Sequence, residues 1–430
     1  MGMSPVFVRC LRWTLKVLAQ LVIWRYRPGI VGITGSVGKT STKFAVMAVL
    51  GIERRVRTAH GNLNNDLGLP LTILGSWSEK ELKLVSREQK EGTRRIAKLF
   101  FWVKVICRGV FQLCYKSSSY PEILVLEYGA DRPGDVRYLL QIARPNIGVV
   151  TAVGAVPAHV EFYKNSEEVA REKARLIEYL PAAGFAVLNR DDKTVMALQD
   201  RTRAHLVTFG FSEGAEVRIS RFHHYAEEGR PGGVAFRLEY GSSGASLKLP
   251  GMLGKSQAYA AAAAGAVGFV FGMSFQKVAE GLKRYEPPPH RMQLRKGVKE
   301  TWIIDDAYNA SPLSMESALR ALKDLPGKRK IAVLGDMLEI GPYAMEAHEN
   351  LGRLVAEVAD ILITVGPRAK LIAEGAKKAK MRKANIKSFD DAEEAGKAVQ
   401  DLIKAGDLIL VKASRAIHLE SVVEEIVDLI

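Results

Sequence analysis

Cysteine is scarce. The chain of 430 residues holds three, Cys10, Cys107 and Cys114. They show no metal-ligand spacing, and three cannot all pair with one another. Neither a thiolate metal site nor a disulfide framework is encoded, and a reducing, cytoplasmic compartment is the simplest expectation. Repeats and low-complexity tracts are missing as well. What remains is ordinary globular composition, 47% hydrophobic and 25% charged, in a chain long enough for two or three domains with cores of their own.

Long uncharged apolar runs are also missing. The most apolar candidate, FVRCLRWTLKVLAQLVIWRYRP (7–28), carries Arg9, Arg12, Lys16 and Gln20 in its interior, which makes it a poor transmembrane span. No small-residue cleavage site follows it, so it does not read as a signal peptide. Acidic residues are scarce in one place only. Residues 1–120 hold 6 Asp+Glu against 20 Lys+Arg, a balance of +14, whereas the other 310 hold 41 against 42. Nearly all of the net +15 therefore belongs to one cationic region, whose partner is nucleic acid, anionic lipid or a phosphorylated substrate. A continuous basic groove interleaved with aromatics is absent, so nucleic acid gains no support.

On a helical projection Arg9, Arg12, Lys16 and Gln20 form one stripe. Phe7, Leu11, Leu15, Leu18, Val22 and Trp24 occupy the rest. Such a helix either lies in a membrane interface or docks on the next domain. A second basic amphipathic helix is expected within an insertion at 79–118, with Arg94, Lys98, Lys104, Arg108 and Gln112 on one side. We expect helices 7–27 and 94–116 to lie close together. They then either present one basic, apolar face to an anionic membrane or hide their apolar faces against each other.

From Ile30 onward, short apolar runs alternate with helical stretches: IVGIT (30–34), ILVLEYGA (123–130), IGVVTAV (147–153) and GFAVLNRDD (184–192). This pattern predicts an α/β fold with a mainly parallel sheet. The alternation restarts after the Pro-rich YEPPPHR (285–291). The expected units are a basic helix at 1–28, a central P-loop ATPase domain at 29–288 and a C-terminal Rossmann-like α/β domain at 289–430. Within the first strand-to-helix turn, TGSVGKTS (34–41) has the context of a phosphate loop. Gly35, Ser36, Gly38 and Ser41 would cradle phosphates, Lys39 would neutralise them and Thr40 would reach Mg²⁺. The general pattern asks for Gly where Ile33 stands, so the loop is a shortened variant.

This loop resembles that of the Mur ligase family, and further motifs repeat the resemblance in order over about residues 29–430. GNLNNDLGLPLTIL (61–74) is similar to that family's Asn-rich loop, and LEYGADRPGD (126–135) to its metal-binding glutamate strand. AVPAHVEF (155–162) matches its histidine segment and VAREKARL (169–176) the helix whose lysine is carbamylated. PPHRMQ (288–293), IIDDAYNASPLSM (303–315), VLGDMLEIG (333–341) and LVKASR (410–415) follow at suitable spacing. DDAYNASP resembles the MurF branch, which joins D-alanyl-D-alanine to UDP-N-acetylmuramoyl-tripeptide.

The resemblance implies ATP-dependent amide ligation through an acyl phosphate, with Lys39, His159 and Lys173 catalytic. Thr40, Glu127 and His159 would hold Mg²⁺ or Mn²⁺, beside a carbamylated Lys173. Arg291, Asp306 and Asn309 would contact the nucleotide. Asn62, Asn64 and Asn65 would face substrate, and Lys412, Ser414 and Arg415 the carboxylate of an incoming D-Ala-D-Ala-like amine. The expected partners are this amine and a peptide acceptor, with a monomeric, cytoplasmic enzyme in peripheral contact with anionic membrane. Plainer roles stand beside these. Glu127 could pair with an arginine, His159 could be a loop histidine, Lys173 could lie on a solvated face, and Asp305-Asp306 could cap a turn. His60, His223, His224 and His348 read as structural or surface groups.

The chain also departs from the family. Leu253 and Gly254 stand where a His-Asn pair is usual, Gln257 where a later Asn is, and Ala413 where Gly is. The family's N-terminal UDP-gripping domain is not matched. Alternatives are a relative with a folylpolyglutamate- or cyanophycin-type acceptor, or an idle P-loop scaffold. The intact Lys39, Glu127 and His159 argue against idleness, and the missing DNPR-like signature argues against diaminopimelate- or lysine-adding relatives.

Overall fold

A computed structural model describes residues 5–59, 61–85 and 95–428. Arg94 and His60, named above, lie outside them. Two sheets organise the chain. The first runs in the order β2-β3-β1-β4-β5-β6-β7-β8-β9. Its strands are β1 (Gly29–Thr34), β2 (Val56–Thr58), β3 (Ile123–Glu127), β4 (Ile147–Val150), β5 (Phe185–Asn189), β6 (His205–Gly210), β7 (Val217–Glu227), β8 (Arg230–Tyr240) and β9 (Ser243–Pro250). Its helices are α1 (Pro5–Tyr26), α2 (Lys39–Leu50), α3 (Gly68–Leu74), α4 (Glu79–Val85), α5 (Arg95–Cys114), α6 (Asp135–Ile142), α7 (Ser166–Glu178), α8 (Lys193–Met196), α9 (Lys255–Val270) and α10 (Phe275–Lys283).

The central strands are parallel and buried along nearly their whole length, as their unbroken apolar runs require. The three strands β7–β9 are antiparallel and were not read from the sequence. Their hairpin turns on Glu228 (φ 51°) and Gly229 (φ 78°), whose two positive φ angles match the twist of the flanking strands.

The second sheet runs β10-β11-β15-β12-β13-β14, with β10 (Gln293–Gly297), β11 (Thr301–Asp305), β12 (Lys330–Gly335), β13 (Ile361–Val365), β14 (Ile386–Phe389) and β15 (Leu408–Lys412). β10 is antiparallel and the others are parallel. α11 (Pro312–Asp324), α12 (Ala344–Val358) and α13 (Lys370–Lys378) cover one face. α14 (Ala392–Leu402) and α15 (Glu420–Ile426) cover the other.

α1 and α5 pack against each other and both lie on α3. Leu11, Leu15, Leu18, Ala19 and Val22 of α1 join Phe101, Trp102 and Val105 of α5 in one buried cluster with Trp77. The stripes of basic and polar residues stay largely exposed, and several of their members also reach neighbouring protein. Arg12 pairs with Asp66 at 2.6 Å, and Lys16 donates to Gln141 Oε1 and Gln20 to the Gln141 carbonyl, both at 2.7 Å. On α5, Lys104 pairs with Glu81 at 2.6 Å, the Arg108 guanidinium lies over the Trp77 ring, and Gln112 donates to the Leu74 carbonyl at 3.0 Å. Each helix buries one apolar sector and leaves a second exposed beside its polar stripe. The helices thus do not hide their apolar faces wholly from solvent. Among the described residues no helix is long and apolar enough to cross a membrane.

Leu15 and Trp13 therefore differ sharply although they share a helix. Leu15→Ala should lower stability by about 3 kcal/mol through the cavity it leaves. Trp13→Ala, at a side chain 67% exposed, should change it by less than about 0.5 kcal/mol. Urea midpoints of the two variants test this, and equal losses would show that α1 is not docked as described.

Candidate active site

The turn from β1 into α2 is held by the end of β4. Ser36 N and Val37 N donate to the Ala152 carbonyl, and Thr151 Oγ1 donates to the Val37 carbonyl at 2.6 Å. A Cβ at Gly35 would sit 2.1 Å from Thr151 Oγ1, so only glycine fits there. Gly38 caps α2 at φ 87°, a left-handed conformation that glycine adopts without strain. Lys39 Nζ donates to the Gly35 carbonyl at 2.6 Å, arching over the loop. Ser36 Oγ is buried without a partner. An orphaned hydroxyl, a lysine and a helix N-terminus at one point fit a phosphate group.

β3 ends at Glu127, which is 3% exposed. Thr40 Oγ1 donates to it at 3.2 Å and Asn64 Nδ2 at 3.3 Å. Lys43, itself fully buried, stands 3.6 Å away and donates to the Gly61 carbonyl at 2.7 Å. Burial lowers the pKa values of Lys39 and Lys43, and the Glu127 charge opposes it in both. A hydroxyl and a carboxylate beside a phosphate loop suit Mg²⁺, which takes few protein ligands and completes its shell with phosphates and water. Asn62 Oδ1 lies 3.4 Å from Thr40 Oγ1. Asn65, expected to face substrate, instead accepts from Leu67 N and Gly68 N at the start of α3. It is a turn cap, the more usual employment of Asn before a helix.

His159 departs from the expected metal set. Its backbone is left-handed at φ 67°, Nδ1 meets Glu339 Oε2 at 2.6 Å and Nε2 meets Asp131 Oδ1 at 3.5 Å. Glu339 comes from the second domain, so this contact joins the two halves, and the histidine holds the glutamate's pKa below its usual range. Among the described residues no three His, Cys, Asp or Glu side chains converge as a metal site. Thr40 and Glu127 meet, while both ring nitrogens of His159 are turned to other carboxylates.

Lys173 does not lie on a solvated face. It is wholly buried, whereas the flanking Arg171 points outward. Burial, with help from the charge of Lys39, brings its pKa down to about 7. Of the neighbouring carboxylates, Glu172 is already engaged by Val136 N and Arg175.

Across the cleft, the Tyr308 ring has the Arg291 guanidinium 4.1 Å away and that of Arg415 5.1 Å away. Lys412, expected to meet a substrate carboxylate, pairs with Asp306 at 2.6 Å and donates to the Asn309 carbonyl at 2.7 Å. Its ammonium is nearly inaccessible, and a buried cation takes the nearest buried anion. Ser414 Oγ accepts from Leu338 N. Asp305 holds His290 and Arg295. The departures at 253–257 serve the hinge: Leu253 N donates to Met292 O, Gly254 N to His224 Nε2, and Gln257 Nε2 to Arg291 O. His224 and His348, the latter buried and accepting from Met337 N, are structural as expected.

The phosphate loop, Glu127, His159, Arg291, Asp306, Tyr308 and Arg415 line one cavity of about 920 Å³, at the C-terminal ends of the strands of both sheets. Asn189, Asp191, Asp192 and Tyr259 also line it, and sequence reasoning passed over them. Their signal was present, because NRDD stands at the end of strand β5, where open parallel sheets bind ligands. Lys43 was missed too, although it follows Lys39 by one helical turn.

Lys43→Met would leave Glu127 buried without its cation. The expected cost is about 3 kcal/mol, smaller when Mg²⁺ and ADP are present, since the metal replaces the lost charge. Thermal unfolding with and without Mg²⁺–ADP tests this, and an equal loss in both would detach Lys43 from the site.

The Mur ligase middle-domain model matches residues 109–268, and the Mur ligase glutamate ligase domain model matches 290–415. A Bacillus subtilis (strain 168) UDP-N-acetylmuramoyl-tripeptide–D-alanyl-D-alanine ligase is 30% identical over 416 residues, covering 96% of this chain and 79% of that protein. The enzyme of that name from Mycobacterium tuberculosis (strain ATCC 25618 / H37Rv) is 32% identical over 444 residues, covering 99% and 77%. A Thermotoga maritima MurF ligase solved in complex with ADP superposes with a TM-score of 0.76 at 29% identity, over 96% of this chain and 83% of that one. A Mycobacterium tuberculosis folylpolyglutamate synthase complexed with ADP shares the fold, at a TM-score of 0.66 and 17% identity, over 96% and 94%. With the phosphate loop, the buried glutamate and two α/β domains meeting at one cleft, the chain belongs to the Mur ligase family.

Proposed function

We propose that the chain is an ATP-dependent amide ligase of peptidoglycan precursor synthesis, adding D-alanyl-D-alanine or a similar amine to a muramoyl-tripeptide carried on UDP. The observation that carries this reading is the meeting of Lys39, Thr40 and Glu127 in the cleft of a chain that aligns with so-named ligases over 77–79% of their lengths. Forming an amide from a carboxylate and an amine in water is uphill. An acceptor carboxylate oxygen therefore first takes the γ-phosphoryl group of ATP, and the bond to ADP breaks. The amine nitrogen then attacks the acyl carbon, phosphate departs, and the nitrogen's proton passes to solvent.

The chain's own groups position and neutralise. The loop from Ser36 to Thr40 and the N-terminus of α2 hold phosphates, and Lys39 offsets charge that repels itself as the phosphoryl group moves. Thr40 and Glu127 hold Mg²⁺, with Lys43 and Asn64 fixing the glutamate. Arg291, Asp306 and Asn309 meet the nucleotide from the second domain, while Asn62 and Asn64 face the acceptor. Arg415, the more accessible cation of LVKASR, takes the carboxylate of the incoming amine. His159 and Glu339 tie the closed domains together and keep water from the acyl phosphate. Because ATP is drawn from the cytoplasm, the reaction belongs there.

Lys173 is modified in this reading. A neutral amine attacks carbon dioxide, forming the N–C bond of a carbamate and releasing one proton. A buried lysine with a pKa of about 7 supplies that amine. The resulting anion offsets the positive charge around Lys39.

Two measurements test the reading. ADP release should require both UDP-muramoyl-tripeptide and D-Ala-D-Ala, and Lys39→Ala should lower it at least about a hundredfold. Release that ignores the acceptor would end the proposal. With ¹³C-bicarbonate, a carbamate carbonyl resonance should appear in the protein and fade as pH falls below about 7, where the amine protonates. Lys173→Ala should abolish the signal and regain part of its activity with short-chain carboxylates, and a signal that survives the substitution would clear Lys173.

A further inference from the structure

Among the described residues seventeen large apolar side chains stand exposed, and twelve of them belong to α1, to α5 or to Tyr115 just beyond α5. Scattered singly, exposed apolar groups need no explanation, but a concentration of this kind marks a surface that binds something. Trp13 (67%) and Trp24 (70%) stand three turns apart on α1. Phe100 (70%) and Phe111 (59%) do the same on α5. These four rings alone expose on the order of 500 Å². α1 and α5 cross where Leu18 lies against Gly109, whose missing side chain permits the approach: a Cβ there would stand 3.4 Å from Leu18. Both helices contact α3 and each other, and each leaves the side away from those contacts exposed.

Charge says what this face meets. α1 and α5 carry no acidic residue of their own, since the first acidic residue of the chain is Glu53 and none occurs from 92 to 121. Among the described residues the carboxylates that reach them are Asp66 and Glu81, each already paired with a cation. The C-terminal ends of the two helices are tied by the Tyr26 hydroxyl, which bonds the carbonyls of Gln112 and Tyr115 and accepts from Ser117 N. Exposed Arg27 and Lys116 border that junction, with Arg9 toward the other end. A symmetric dimer through this face would press two surfaces of net positive charge together. An anionic bilayer supplies the opposite charge, and tryptophan beside basic residues is the composition of a helix lying in its headgroup region.

We propose that the outer face of α1 and α5 docks on an anionic lipid bilayer, with Trp13, Trp24, Phe100 and Phe111 entering the headgroup region and Arg9, Arg27 and Lys116 meeting lipid phosphates. This goes beyond the ligase reading and does not rest on it. Arg12, Lys16 and Lys104 are held by Asp66, Gln141 and Glu81, so the exposed apolar sector makes the contact together with Arg9, Arg27 and Lys116.

The test uses the full chain and vesicles of phosphatidylcholine, with or without about one-third phosphatidylglycerol. The protein should sediment with the anionic vesicles and shift tryptophan emission to the blue. Affinity should fall at least about tenfold at high salt or without phosphatidylglycerol. The triple variant Trp13→Ser, Phe100→Ser, Phe111→Ser should weaken binding by at least about tenfold while keeping its thermal midpoint, because it alters only exposed positions. No sedimentation at low salt, or undiminished binding by the triple variant, would overturn the proposal. So would a dimer in sedimentation velocity that the variant dissolves, since the face would then belong to a second copy.

Discussion

A carboxylate withdrawn from water keeps its charge only if cations and donors come with it, and Glu127 is where that constraint shapes this protein. Lys43, Thr40 and Asn64 converge on it from α2 and the Asn-rich loop. For these groups to arrive together, α2 must leave β1 at one angle, β3 must lie beside β1, and the loop at 61–66 must fold back over the end of β3. The glycine turn at Gly35 and the clamp from Thr151 and Ala152 satisfy the first requirement. The parallel pairing of Ile33 with Glu127 satisfies the second. Asn65, by capping α3, satisfies the third. Residues that never touch a phosphate thus set the geometry of those that do.

The second half of the site depends on a domain contact of the same kind. His159 holds Glu339 across the cleft, and Glu161 N donates to the Glu339 carbonyl. Asp306, Lys412 and the Asn309 carbonyl form a closed set beneath Tyr308. Asp306 and Lys412 match within one wall, as Glu127 and Lys43 do within the other, and Arg291 and Arg415, stacked on one ring, remain near the cavity.

The α1–α5 pair follows a different rule. Its inner sectors obey ordinary core packing, while Arg12, Lys16 and Lys104 are tied at the surface to Asp66, Gln141 and Glu81. The outer sectors keep an apolar surface that solvent alone does not favour.

Much of this was legible beforehand. Period and alternation in the apolar runs specify parallel sheets, because a strand buried on both faces must be apolar along its length. TGSVGKTS specifies a phosphate loop, because few other sequences permit that backbone before a helix. The two helices 7–27 and 94–116 were legible as amphipathic. What a linear pattern could not determine was which sector of each helix turns inward, since two apolar sectors compete and the neighbours decide. Nor could it tell that Lys412 would be consumed by Asp306 or that His159 would reach across to Glu339. Those outcomes depend on which buried charges end up within about 4 Å of each other, and only tertiary structure brings residues more than a hundred positions apart to that distance.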